Sequence, residues 1–153
     1  MKINGTDPTT LSSIETLVLP RGDTALVFQA RGLKNLDEFD KLCPEPVPPT
    51  RITREGPEAD LKNPDYVSVM NEWQHRRLSY IIVASLEPSK IEWDTVQMDS
   101  PGSWANWETD MQNANVSQVE VNLIRRVVFQ ANALDEEKLK KAREVFLQGL
   151  QAA

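Results

Sequence analysis

With one cysteine and one histidine in 153 residues, the chain has little of what metal and thiol chemistry use. Cys43 alone can close no internal disulfide and cannot form a multi-cysteine metal site. His75 has no histidine partner, and a thiol–imidazole pair would need Cys43, His75 and a third orienting group brought together from separate segments. The expectation is a buried or linker thiol and a surface helix histidine. The signatures of catalysis are also missing: no P-loop, no GxGxxG, no HExxH, no GxSxG and no EF-hand carboxylate pattern. No enzyme activity, metal or other cofactor is therefore expected.

Positive charge is short as well. The net charge is −6 and the isoelectric point is near 4.9. A sequence-independent nucleic-acid binder needs a basic face, so nucleic acid is not the expected partner. The basic clusters, Arg76–Arg77, Arg125–Arg126 and residues 138–143, fall on predicted helices among acidic residues and read as solvated faces. No apolar run approaches the roughly 20 residues that span a bilayer. The N-terminal MKINGTDPTT lacks the apolar core of a secretory leader, so a cytoplasmic protein without a membrane partner is expected. In that setting the RGD of Arg21–Asp23 is a turn, and the sequons at Asn4 and Asn115 carry no meaning. The acidic groups Glu136–Glu137 and Asp37, Glu38 and Asp40 suit first turns of helices, where negative charge opposes the macrodipole.

The longest organised stretch is residues 63–86, NPDYVSVMNEWQHRRLSYIIVASL. Asn63 can cap it and Pro64 fits the first helical position. Tyr66, Val67, Met70, Trp73, Leu78, Ile81 and Ile82 recur at mostly three- and four-residue steps, which predicts a helix. Past Leu78 it is apolar nearly all round, so its second half should be buried, and Pro88 should stop it. Before it, residues 14–19 and 24–29 read as two strands around Pro20–Asp23, a hairpin. A short helix is expected over 36–42, with Asn35 as cap and Leu36, Phe39 and Leu42 on one side.

Residues 43–50 hold four prolines in six positions, which imposes an extended path. This fits a stiff connector, with a PxxP ligand as the functional alternative. After the long helix, 90–97 reads as extended, Ser103 as the cap of a helix over 104–113, and Ser117 with Glu120 as a capping box for a further helix. Leu134 with Leu139 has the spacing of a hydrophobic staple, with Asp135 as cap of the last helix. That helix carries an apolar stripe of Leu139, Ala142, Val145, Phe146 and Leu150. The expected fold is α+β, mainly α: an N-terminal hairpin unit (residues 1–43), a Pro-rich linker (44–63) and a helical domain (64–153), a small bundle.

Four tryptophans lie within 35 residues. Trp73 and Trp93 read as core. Trp104 and Trp107, beside Pro101-Gly102, fit either core or a partly exposed contact surface. A hairpin with few neighbours also leaves an open edge at Ala25, Val27 and Gln29, suited to pairing with another chain.

The succession LVLPRGD…ALVFQARGL, DEFDKLCPEPVPP, a helix with WQ and Arg77, IEWDTV, and SQVEVNLIRRVV…ANALDEEKLKKAREVF resembles the tail assembly chaperones of long-tailed bacteriophages. The likeness covers most of the chain and rests on composition and order, with no catalytic signature. It implies a protein of the host cell cytoplasm that escorts the tape measure protein before the tail tube polymerises and that is absent from the finished virion. It also implies a homo-oligomer, with the tail tube protein as a further partner. Trp104, Trp107, Ala25, Val27 and Gln29 are then the expected client or self-association contacts. The alternative is a permanent minor structural or adaptor protein of the particle.

Overall fold

Alternation along the first two strands explains how the chain begins to fold. In the computed structural model, which describes residues 1–10, 14–133 and 136–152, β1 (Ile14–Arg21) pairs antiparallel with β2 (Thr24–Arg31). Leu17, Leu19, Leu26, Phe28 and Ala30 turn inward, while Val18 and Val27, cross-strand partners, face out. The turn is tighter than expected. Only Gly22 and Asp23 connect the strands, and Gly22 takes φ 57, the left-handed value favoured at the first position of a two-residue hairpin turn. Pro20 consequently lies inside β1, which a sheet edge tolerates because no third strand needs its missing N–H.

α1 (Asp37–Leu42) follows, with Asn35 Oδ1 accepting from the Asp37 N–H at 3.2 Å. Phe39 is buried, but Leu42 is 41% exposed and leaves the expected apolar face. Residues 44–63 depart from the expected connector. They contain a second antiparallel hairpin, β3 (Thr50–Thr53) with β4 (Gly56–Ala59), in which Thr50 pairs with Ala59 and Thr53 with Gly56. Gly56, at φ 110, makes this turn possible in a stretch too polar to signal strands.

α2 (Pro64–Ser85) begins as the sequence implies, with Asn63 Oδ1 accepting from the Tyr66 N–H at 3.1 Å. Tyr80, Ile81, Ile82 and Val83 are buried, whereas Val67 and Leu78 remain exposed. Pro88 falls in a 3-10 turn, Glu87–Ser89, just past the helix end. Residues 90–97 form no strand. They are held instead by buried Asp110, which accepts from the Thr95 N–H at 2.9 Å, the Thr95 hydroxyl at 2.7 Å and the Val96 N–H at 3.4 Å. Burial raises the Asp110 pKa, but these hydrogen bonds outweigh it and leave the carboxyl below its usual range.

The helix expected over 104–113 is split into a 3-10 segment (Pro101–Asn106) and α3 (Trp107–Asn113). Ser103 does not cap it; its hydroxyl accepts from the Gln97 N–H at 2.8 Å. α4 (Gln118–Ala131) opens on the expected capping box, with Glu120 N–H to Ser117 Oγ at 3.2 Å and Ser117 N–H to Glu120 Oε1 at 3.1 Å. α5 (Glu136–Ala152) is the last described element. The staple and cap proposed at Leu134 and Asp135 lie outside the described residues.

The hairpin packs on α4, and the two units expected from the sequence share one core. Leu19, Phe28 and Phe39 from the first forty-odd residues join Tyr80, Ile82, Trp104, Val121 and Ile124 in a single buried cluster. Two close approaches lock the hairpin to the helices. A Cβ on Gly32 would meet the Ala131 carbonyl oxygen at 2.4 Å, so only glycine fits there. Beside it, Asn132 Oδ1 accepts from the Leu33 N–H at 2.8 Å while its Nδ2 donates to Ser85 Oγ and Val128 O, both at 2.9 Å. One side chain thus ties the hairpin exit to the ends of α2 and α4.

Candidate interaction surface

The tryptophans expected at the surface are structural. Trp104 is 0% and Trp107 2% exposed. Trp104 packs its ring at a tilt against Tyr80 (ring centroids 5.0 Å apart) and Phe39 (5.9 Å), and Phe39 in turn meets Trp73 at 5.6 Å. Its Nε1 donates to the Met98 carbonyl at 3.3 Å. The Arg125 guanidinium lies 5.3 Å from the Trp107 ring centroid while pairing with Glu108, which closes the remaining access. The expected contact role fails because Trp104 sits in a 3-10 segment that apolar spacing does not reveal, while Trp107 is buried at the start of α3. In the short 3-10 segment Trp104 turns fully inward.

The hairpin keeps its expected surface in part. Val27 is 53% exposed and Val18, across the ladder from it, 59%. Pro20 and Ala25, the next pair toward the turn, are exposed as well. An apolar strip of two cross-strand pairs therefore runs along the outward face. Gln29 is not available for strand addition. Its N–H donates to Ser89 Oγ and its C=O accepts from the same hydroxyl, both at 2.7 Å, so a serine occupies the edge where a third strand would bond. The usable edge is Ala25 and Val27. Trp104 and Trp107 lie in the core away from this strip, so the expected residues do not form one site. Val18 and Pro20 belong to it and were missed. Their signal was the strict two-residue alternation, which puts Val18 opposite in face to Leu17 and Leu19.

The hairpin is held firmly behind this strip. Arg21 donates to both carboxylate oxygens of Glu120 at 2.7 Å and to the Asn115 carbonyl at 3.4 Å. The Arg21 guanidinium, with the Ser117 N–H second, pulls the Glu120 pKa down to about 2, and the same pair raises that of Arg21. The turn end of the hairpin is thereby clamped to the N-terminus of α4.

Among the described residues, no group of three or more His, Cys, Asp or Glu side chains could hold a metal ion. No described helix is long and apolar enough to cross a membrane. No protein-family model, curated protein or solved structure matches the chain.

Proposed function

We propose that the chain is a tail assembly chaperone of long-tailed bacteriophages, acting in the host cell cytoplasm on the tape measure protein before the tail tube forms around it. The observation that supports this reading is the apolar strip of the hairpin. Two of the segments that carry the resemblance, residues 17–23 and 25–33, build a rigidly anchored two-stranded sheet that leaves Val18, Pro20, Ala25 and Val27 uncovered. A two-stranded sheet with one buried face gains by covering the other. An extended or helical client segment can lie on this strip, with the Ala25–Val27 edge open to strand addition. The acidic surface keeps many copies soluble around one long client.

Co-expression with the tape measure protein tests this. The wild type should keep the client soluble, and Val18→Asp with Val27→Asp should abolish this while leaving the fold intact, since both side chains point to solvent. Anchor residues of an interface are typically worth about 2 kcal/mol or more, so binding should weaken at least tenfold. A wild-type protein without effect on client solubility would refute the reading. Purified virions separate it from a permanent tail component: a chaperone is missing from them, a structural part is present at stoichiometric level.

A further inference from the structure

α5 ends the described chain with an amphipathic helix whose apolar stripe stays exposed among the described residues. Every residue from 139 to 151 is exposed, and Val145, Phe146 and Leu150 are 59–68% accessible. Its first turn is anchored to the body, where Lys138 pairs with Glu15 and donates to the Gln130 carbonyl at 3.2 Å. A 17-residue helix is about 25 Å long and marginal in water without packing on its apolar side. Leu139, Ala142, Phe146 and Leu150 share one face at three- and four-residue steps, with Arg143 and Lys140 flanking it.

The body carries a second uncovered apolar surface of opposite charge. Between the end of α2 and residues 90–98 lies a groove of about 460 Å³, floored by Val83 and Leu86 and walled by Ala84, Ile91, Trp93 and Met98. Exposed Glu92, Asp94 and Asp99 flank Trp93 and Met98 along the same segment, and Glu87 stands at the groove itself with Lys90. α5 has four basic and three acidic residues, so it is net positive, whereas the whole chain is at −6. An apolar stripe with basic flanks thus faces an apolar groove with acidic flanks.

We infer that α5 of one copy docks its Leu139–Phe146–Leu150 stripe into the Trp93 groove of a second copy, and that the exchange is reciprocal. One helix in one groove covers less than the roughly 800 Å² per partner of a standard interface, and two related by a two-fold axis approach it. The inference concerns self-association and is independent of the client reading above.

Light scattering across a concentration series tests it with the intact chain. The wild type should show twice the 17.3 kDa protomer mass. Phe146→Asp with Leu150→Asp should give a protomer whose body keeps its denaturation midpoint by tryptophan fluorescence, because α5 contributes nothing to the shared core, while helix signal falls as the undocked α5 frays. Lys140→Glu with Arg143→Glu, and separately Glu92→Lys with Asp94→Lys, should each weaken the dimer at least about tenfold by placing like charges together. Combining the two reversals in one chain should restore it. A wild type that stays a protomer at every concentration overturns the inference, which is also the outcome expected of α5 folding back on its own groove. A dimer that ignores the Glu92 and Asp94 reversals overturns it too, since α5 would then be pairing with α5 or with another surface.

Discussion

Replacing Phe39 by alanine tests whether the hairpin and the helices are one cooperative unit. Phe39 is 0% exposed and touches Trp73, Tyr80 and Trp104, with ring centroids 5.6, 5.6 and 5.9 Å away. It comes from a six-residue helix in the N-terminal part of the chain, and all three neighbours come from beyond the Pro-rich stretch. Truncating a buried phenylalanine removes its transfer free energy and leaves a cavity that rigid aromatic neighbours fill poorly, a loss of about 3–5 kcal/mol. That is a large share of the roughly 5–15 kcal/mol that holds a domain together. For a chain of this length it lowers Tm by roughly 6–20 °C. The comparison is Leu42→Ala on the same helix, where a 41% exposed side chain should lose about 1 kcal/mol or less. Chemical denaturation followed by tryptophan fluorescence and by far-ultraviolet circular dichroism reads both variants. A single transition, shifted in both signals together for Phe39→Ala, is expected. Two separated transitions, or equal losses for Phe39→Ala and Leu42→Ala, would refute the shared core.

Two further substitutions examine how the hairpin is seated. Gly32→Ala pushes a methyl to within 2.4 Å of the Ala131 carbonyl oxygen and should cost about 1–3 kcal/mol, whereas Gly102→Ala, with nothing within 4 Å, should be close to neutral in the same denaturant titration. Glu120 is held at a pKa of about 2 against its usual 4.5, so its share of stability is complete above about pH 4.5 and is lost as pH falls toward 2. The stability gap between wild type and Glu120→Gln should therefore narrow across that window in acid titrations, and a gap that stays constant would mean that Arg21 does not act on the ionised carboxylate.

Much of the fold was legible because local chemistry and tertiary packing agree. The Asn63 cap, the Ser117–Glu120 box and the apolar second half of α2 are short-range signals, and each appears where the residues place it. The exceptions are places where distant partners decide. Residues 90–97 alternate like a strand, yet among the described residues no strand pairs with them. Asp110 meets the Thr95 and Val96 backbone groups instead, contacts fifteen and fourteen positions away that periodicity does not register. The joint over 44–63 looked like a spacer because prolines dominate it, but Gly56 permits a hairpin and the core on its two sides is continuous.

The candidate surface was harder to read, for a definite reason. An apolar side chain marks a place that gains from leaving water, and it does so equally whether its own chain or another covers it. Trp104 and Val18 are both apolar, yet the larger residue fills the core and the smaller one remains outside. What separates them is geometry along the element. In β1 the run Leu17-Val18-Leu19 is apolar throughout, but alternation sends Val18 to the face opposite Leu17 and Leu19, and α4 covers only that second face. In α5 the stripe reads as any core-facing helix would, yet the elements before it already complete one core among themselves. The hairpin face and the last helix are therefore surplus to that core, which is why the two proposals above place their partners on this uncovered apolar surface.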